Sequence, residues 1–266
     1  MSKPSPYLYE SFVSEYYDYL SPVAGRQDID FYLEAARAQG DPILELGCGT
    51  GRILLPIAEA GHRITGLDLS EPMLARCRAK LQNEPPEVRG RVRLVHGDMA
   101  NFDLDEAFRL ITIPFRPFQH LLEVEQQLGC LRSAHRHLMP GGNLIVDFFQ
   151  TDARRMHDPA FTMESSPHPE VSLQDGRRLR LTERVAAFHR AQQRNDVELI
   201  YNITHPDGRS ERLVFAFPLR YFFRYEVEHL LARCGLRVVN LFGNYDRSPL
   251  GDDSPDMIFI AEKQGS

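Results

Sequence analysis

The sequence lacks the features that mark secreted, membrane-bound or disulfide-stabilised proteins. Its 266 residues include four scattered cysteines with no C-x-x-C pair among them, which is typical of a reduced cytoplasmic protein. The first residues lack the apolar core of a signal peptide, and no apolar run approaches the length of a membrane span. We therefore expect a cytoplasmic protein that has no membrane partner.

Several classes of ligand and chemistry are also disfavoured. The formal net charge of −6 argues against a broad electrostatic surface for nucleic acid, so we expect no nucleic-acid partner. His135 and His137 lie two residues apart on a predicted helix and cannot face one metal ion, and we predict no metal site. No serine stands in a nucleophile elbow. The function must therefore reside in other motifs.

Apolar runs alternate with helical patterns along most of the chain. This spacing predicts a doubly wound, seven-stranded, mostly parallel α/β sheet. The predicted strands cover 42–46, 62–67, 91–96, 107–114, 143–149, 236–242 and 257–261, and the predicted helices cover 7–20, 29–39, 52–60, 71–81, 119–139 and 224–234.

A different pattern interrupts this alternation between residues 160 and 222. Apolar residues recur at every second position over 179–181, 197–203 and 213–221, which indicates β-strands. The sequence His205-Pro206-Asp207-Gly208 is a turn signal between the last two runs. We predict an antiparallel β insert in the α/β frame.

The most informative segment is a glycine-rich turn that follows the first predicted strand, 43–46. Gly47, Gly49 and Gly51 stand at alternate positions, and glycine lets a ligand approach the backbone closely. Asp68 lies about 20 residues after the turn, where a carboxylate can accept hydrogen bonds from a ribose. The sequence therefore predicts a nucleoside-containing cofactor. Arg52 stands where a dinucleotide fingerprint has its third glycine, and no phosphate-binding lysine follows.

The pattern Glu45-x-Gly47-x-Gly49-x-Gly51 resembles the first motif of class I S-adenosylmethionine-dependent methyltransferases. The resemblance implies a Rossmann-like sheet, S-adenosyl-L-methionine as cofactor and transfer of its methyl group by in-line displacement. In that family the glycine turn passes under the methionine part of the cofactor. By this resemblance the cofactor-binding residues are Glu45, Gly47, Cys48, Gly49 and Gly51 in the turn, Asp68 for the ribose, Leu69, Asp98 and Met99 for the adenine, Ile113, and Tyr17.

The end of the fourth predicted strand bears on the methyl acceptor. It lacks the Asp/Asn-Pro-Pro-Tyr motif of nucleic-acid amino methyltransferases. Its aromatic-rich turn ends in His120-Leu121 and resembles the same region in amino-sugar N,N-dimethyltransferases. The resemblance implies that His120 orients or deprotonates the acceptor, and imidazole titrates in the appropriate range. A helix cap is the alternative role for His120.

The same resemblance extends to the N-terminal helix, where Tyr9 would hold the acceptor and Tyr17 would close over the cofactor. The alternative is an aromatic helix face packed on the core. We assign His120 and Tyr9 as catalytic, and Arg116, Tyr221 and Phe223 as substrate-binding. The alternatives are a surface-loop arginine at 116 and core packing of the two aromatic residues.

These observations predict an enzyme that methylates a small molecule, most readily at an amine nitrogen. An O- or S-methyltransferase, a non-catalytic SAM-binding protein and an NAD-dependent oxidoreductase remain alternatives, the last disfavoured by Arg52. The predicted parts are N-terminal helices that cover the active site (1–40), the cofactor-binding core (41–150), an insert serving as a lid or as the surface of a possible homodimer (151–222), and the remainder of the core (223–266).

Overall fold

The computed structural model describes residues 11–20 and 27–263. The chain forms two compact units. Of the described residues, one unit contains 27–150 and 222–263, and the other contains 11–20 together with 151–221.

A seven-stranded sheet organises the larger unit, which we call the core unit. Its strand order is β10-β11-β5-β4-β1-β2-β3, and β11 runs antiparallel to both β5 and β10 while the other neighbours are parallel. This confirms the predicted doubly wound, mostly parallel sheet. The strands are β1 (Ile43–Leu46), β2 (Ile64–Asp68), β3 (Val92–His96), β4 (Phe108–Ile113), β5 (Leu138–Phe149), β10 (Leu236–Phe242) and β11 (Asp256–Lys263).

Helices cover both faces of this sheet, as its buried central strands require. The first helix of the chain, α1 (Ser11–Tyr16), belongs to the smaller unit. The core unit contains α2 (Ile29–Gln39), α3 (Leu54–Glu59), α4 (Glu71–Gln82), α5 (Pro86–Arg89), α6 (Val124–His137) and α7 (Arg224–Arg233). Two apolar clusters result, one including side chains of α2, α3 and α4 and the other side chains of α6 and α7.

The long helix predicted over 119–139 is wrong in its extent. Residues 117–120 form a separate 3-10 turn, and α6 begins only at Val124. A capping box formed by Glu123 and Gln126 fixes that start. The predicted stop at 140–142 lies inside β5, where Gly141 adopts a positive φ of 74°.

The smaller unit contains the insert, which we call the insert unit. Its four-stranded sheet has the order β6-β7-β8-β9, and every pairing is antiparallel, as the alternating pattern predicted. The strands are β6 (Val171–Ser172), β7 (Arg178–His189), β8 (Arg194–Thr204) and β9 (Ser210–Arg220).

Helix α1 packs on this antiparallel sheet. The rings of Phe12 and Tyr201 meet edge to face with centroids 5.4 Å apart, and Tyr16 lies 6.0 Å from the same ring. Arg177, just before β7, donates a hydrogen bond to Glu15 at 2.7 Å and another to the hydroxyl of Tyr16. The N-terminal helix therefore folds as part of the insert unit.

Candidate active site at the carboxyl edge of the sheet

The three glycines of the turn serve different purposes. All three have positive φ values, 72° at Gly47, 54° at Gly49 and 83° at Gly51, which L side chains adopt with difficulty. A Cβ atom at Gly47 would lie 2.8 Å from Pro117, and one at Gly51 would lie 2.6 Å from the sulfur of Cys77. A Cβ atom at Gly49 would meet nothing within 4 Å. The outer glycines therefore permit packing, whereas the middle one faces open space.

Asp68 ends β2 directly beside this turn. Its Oδ2 accepts a hydrogen bond from the amide of Gly49 at 2.7 Å, and its Oδ1 accepts one from Ser70 at 2.8 Å. Burial raises the pKa of Asp68, while the two backbone donors oppose that rise. The structure thus brings the predicted ribose ligand to the middle glycine. Leu69 follows it, half-buried.

Glu45 is buried at the end of β1, just before the glycine turn. Its Oε2 has no hydrogen-bond partner, and desolvation raises its pKa to about 8, against the lowering effect of Arg52. The guanidinium of Arg52 is held by both carboxylate oxygens of Asp28, at 2.5 and 2.7 Å. An unpaired buried carboxyl oxygen and the open space at Gly49 fit S-adenosylmethionine, whose methionine part carries an ammonium donor.

Cys48 lies inside the turn and behaves as a small apolar residue. Burial raises the pKa of its thiol well above the ordinary value, so the thiolate is disfavoured. The Cys48 side chain also fills the space that a Cβ atom at Gly66 would need. Its contribution to the site is therefore packing of the turn on β2.

The residues predicted to recognise adenine follow β3. Asp98 is exposed, and its Oδ1 accepts a hydrogen bond from the amide of Ala100 at 2.8 Å. Met99 is half-buried and packs against the apolar core. The amide of Gly97 donates to the carbonyl of Asp68 at 3.0 Å. This places the predicted adenine and ribose ligands on adjacent strand ends, and their roles stay predictions.

Residues 114–118 follow β4 and form a segment that we call the β4 turn. It follows Ile113, which is fully buried, and leads into the 3-10 turn that ends at His120. Phe115 and Arg116 both adopt left-handed conformations, with φ of 66° and 68°. Such a conformation costs a non-glycine residue about 1–2 kcal/mol, so surrounding contacts must hold the turn.

Asp147 on β5 supplies those contacts. Its carboxylate, fully buried, accepts hydrogen bonds from the amides of Phe115 at 2.9 Å and Arg116 at 2.7 Å. It also accepts one from the hydroxyl of Tyr32 at 3.0 Å and another from that of Tyr245. One buried carboxylate therefore joins β5, the β4 turn, α2 and the loop after β10.

Arg116 has partners within the protein. Its side chain is only 8% exposed, and its guanidinium forms a salt bridge with Asp256 and lies 3.4 Å from the centroid of the Phe149 ring. These contacts fix Arg116 in the β4 turn, and its substrate-binding role stays a prediction.

The remaining predicted site residues fall in both units. Tyr9, predicted to hold the acceptor, lies outside the described residues, whereas Tyr17, predicted to bind the cofactor, and Tyr221 belong to the insert unit. Tyr221 is buried, which raises its pKa. Phe223 is 46% exposed at the start of α7. His120 lies half-buried in the core unit, and the roles of all five stay predictions.

The sequence interpretation missed Asp147 and the two tyrosines that bind it. A signal was present, since Asp147 is the lone charge in the apolar run 144–149, and a buried charge requires partners. Those partners could not be read from local sequence because Tyr32 lies 115 residues away and Tyr245 lies 98 residues away.

Residues 11–20 and 27–263 lack two features. No helix in these ranges is long and apolar enough to cross a membrane. The same part of the chain contains no group of His, Cys, Asp and Glu side chains that could hold a metal ion.

Comparison with known proteins identifies the fold and its chemistry. Residues 43–142 match a family described as "Methyltransferase domain". The chain is 28% identical to the cypemycin N-terminal methyltransferase of a Streptomyces species, over 99% of this chain and 100% of that protein. It is 25% identical to the dTDP-3-amino-3,6-dideoxy-alpha-D-glucopyranose N,N-dimethyltransferase of Streptomyces fradiae, over 86% of each.

A solved structure agrees with this assignment at the level of the fold. The CcbJ methyltransferase from Streptomyces caelestis superposes with a TM-score of 0.76 at 23% identity, covering 99% of this chain and 100% of that one. The family match and the methyltransferase relatives favour this assignment over an NAD-dependent oxidoreductase or a SAM-binding protein without turnover. The chain is a class I S-adenosylmethionine-dependent methyltransferase, and S-adenosyl-L-methionine is its cofactor.

Proposed function

We propose that the enzyme methylates an amine nitrogen of a small-molecule acceptor. The observation that carries this proposal is the chemistry of two curated relatives that align over most of the chain. One is named for methylating the N-terminus of cypemycin and the other for dimethylating an amino sugar. The lack of an Asp/Asn-Pro-Pro-Tyr motif after β4 supports a target other than a nucleic-acid base.

The protein needs no covalent nucleophile for this reaction. S-adenosylmethionine supplies a methyl group on a sulfonium sulfur. When the acceptor nitrogen attacks that methyl group, the carbon–sulfur bond breaks and the neutral thioether S-adenosylhomocysteine departs as an excellent leaving group. Glu45, the glycine turn and Asp68 hold the cofactor. The remaining requirement is an acceptor held in line with water kept away, and we assign this to the β4 turn, His120 and Tyr9.

His120 has a specific proposed task. An amine is mostly protonated near neutral pH and must lose a proton before it attacks, so a base within hydrogen-bond reach raises the rate. We expect His120→Ala to lower kcat/KM by about 100-fold, within the usual range for general-base catalysis, and to remove one limb of the pH profile. His229→Ala on the exposed face of α7 is the control. An unchanged pH profile in His120→Ala would refute this role.

The acceptor proposal is tested with paired compounds. Radiolabelled S-adenosylmethionine is offered with a dTDP-linked 3-amino sugar, its 3-hydroxy analogue, a peptide with a free N-terminus and the same peptide acetylated. We expect label only in the two free amines, located by mass spectrometry. Transfer to the hydroxy sugar would establish an O-methyltransferase instead.

A cytoplasmic location and a possible homodimer stay predictions. Cell fractionation would check the location, and gel filtration would check the oligomeric state.

A further inference from the structure

We propose that Asp147 is a positioning residue for methyl transfer, which fixes the β4 turn against the glycine turn. Asp147 touches neither reactant in this proposal. It acts through the backbone of Phe115 and Arg116, and through them on the segment that ends at His120. The inference rests on the methyltransferase activity and not on the nature of the acceptor.

The β4 turn needs a group that holds its conformation. Two consecutive non-glycine residues in the left-handed region are strained, and strain of this kind persists only where the surroundings determine the conformation. The amides of Phe115 and Arg116 point at the two oxygens of one carboxylate, at 2.9 and 2.7 Å. Hydrogen bonds to an ionised acceptor are the stronger kind, so Asp147 can select this conformation.

Asp147 is itself fixed in place by hydrogen bonds. Tyr32 from α2 and Tyr245 from the loop after β10 donate their hydroxyls to it. Burial, and after it the charge of Asp147, raises the pKa of Tyr32 well above the ordinary value, so the Tyr32 hydroxyl stays a donor. The two rings contact each other at a centroid distance of 6.2 Å. The carboxylate therefore has donors from three segments besides its own strand.

The β4 turn also packs against the glycine turn, which carries predicted cofactor-binding residues. The ring of Pro117 occupies the space that a Cβ atom at Gly47 would need, 2.8 Å away. On the other side, the salt bridge between Arg116 and Asp256 ties the turn to β11. A shift of the β4 turn would therefore change its spacing from the glycine turn, and small misplacements in an active site can lower rates greatly.

The test compares Asp147→Asn with Tyr245→Phe and a control, His137→Gln. His137 is a buried side chain at the end of α6 that accepts a hydrogen bond from the amide of Leu104, so its loss destabilises the core unit away from the β4 turn. Turnover is measured with the best acceptor of the panel described above. S-adenosylhomocysteine binding is measured by calorimetry, and amide exchange is followed at residues 115 and 116.

We expect Asp147→Asn to lower kcat by about 10- to 100-fold, with a smaller fall in Tyr245→Phe. Affinity for S-adenosylhomocysteine should change much less than kcat, and exchange at the two amides should accelerate while most of the core unit stays protected. His137→Gln should reduce thermal stability and leave kcat and both amides as in the wild type.

Three outcomes would overturn the inference. The first is faster exchange at the two amides with unchanged kcat. The second is a parallel loss of kcat, affinity and stability that His137→Gln reproduces. The third is unchanged amide exchange in Asp147→Asn. A wild-type enzyme that methylates no amine of the panel would refute the proposed acceptor instead, and amide exchange with S-adenosylhomocysteine bound would still decide whether Asp147 holds the turn.

Discussion

Two buried carboxyl groups on the same sheet have opposite environments. Asp147 accepts four hydrogen bonds, whereas Oε2 of Glu45 accepts none and its pKa rises to about 8. Burial therefore favours the protonated form of Glu45. The carboxylate of Asp147 therefore has structural partners within the protein. The carboxyl group of Glu45 lies beside the glycine turn, where a cationic group of a ligand would stabilise its charged form.

This difference predicts how stability depends on pH. The pKa of Glu45 rises from 4.5 to about 8 on folding, so the unfolded chain loses its proton first as the pH increases. Wild-type protein should therefore lose stability relative to Glu45→Gln between about pH 4.5 and pH 8, by a few kcal/mol in order of magnitude. Urea unfolding of both proteins without cofactor, at several pH values, measures this difference. A constant difference across the range would contradict the assigned burial.

The glycine turn offers a matched pair of substitutions. Gly49→Ala meets no neighbouring atom, whereas Gly51→Ala meets the sulfur of Cys77. Both changes carry the strain of a positive φ, about 1–2 kcal/mol, and only Gly51→Ala adds a steric clash. We expect the larger loss of stability in Gly51→Ala and the larger loss of S-adenosylhomocysteine affinity per unit of lost stability in Gly49→Ala. Thermal unfolding and calorimetry on both variants check this order.

At the scale of elements, local sequence patterns predicted whether a segment is a helix or a strand better than they predicted where it begins and ends. The strands and most helices follow from alternation and from caps such as Ser70, whose Oγ accepts the amide of Met73. The helix over 119–139 was overextended because residues 119–122 continue an amphipathic pattern, whereas the contacts of the β4 turn with Asp147 and Gly47 end that segment in a 3-10 turn. Such long-range contacts decide boundaries and leave no local signal.

The candidate site divides in the same way. The cofactor side was readable because the glycine turn and Asp68 are set by spacing within one strand-helix-strand unit. On the acceptor side, the protein partner of Arg116 could not be predicted because Asp256 lies 140 residues away. A charge in an apolar segment indicates a partner, but the sequence does not say whether that partner is a ligand or the protein itself.

Helix α1 allows a prediction about an element. Arg177, which lies just before β7, forms a polar link to α1 through Glu15 and Tyr16. Because its side chain is 23% exposed, its loss should cost only about 1 kcal/mol, and chiefly by opening α1. We expect Arg177→Ala to accelerate amide exchange over 12–20 several-fold while β8 stays protected. Arg178→Ala, which removes an exposed pair with Glu170, should leave that exchange unchanged.

At the scale of the molecule, the division into two units separates the cofactor motifs from Tyr17. The motifs lie in the core unit, whereas Tyr17 and the described part of the N-terminal segment fold with the insert. The predicted cofactor contact of Tyr17 stays a prediction, and it concerns a residue of the insert unit.

This proposal predicts where ligand binding protects the chain. We expect S-adenosylhomocysteine to slow amide exchange at 47–51 in the core unit and at 12–20 in the insert unit. Tyr17→Ala should abolish the second effect and weaken binding by about tenfold, the equivalent of 1.4 kcal/mol. Tyr19→Ala, on the same 3-10 turn, is the control. Protection confined to the core unit would remove Tyr17 from the cofactor-binding residues.

The contact between Pro117 and Gly47 has a practical consequence for redesign. The β4 turn is not an independent loop, since its position is shared with the glycine turn on one side and with Asp147 on the other. Grafting this turn alone from another methyltransferase would bring new side chains without the contacts that fix their positions. A graft intended to change the acceptor should therefore carry the β4 turn, Asp147 and the two tyrosines together as one cassette.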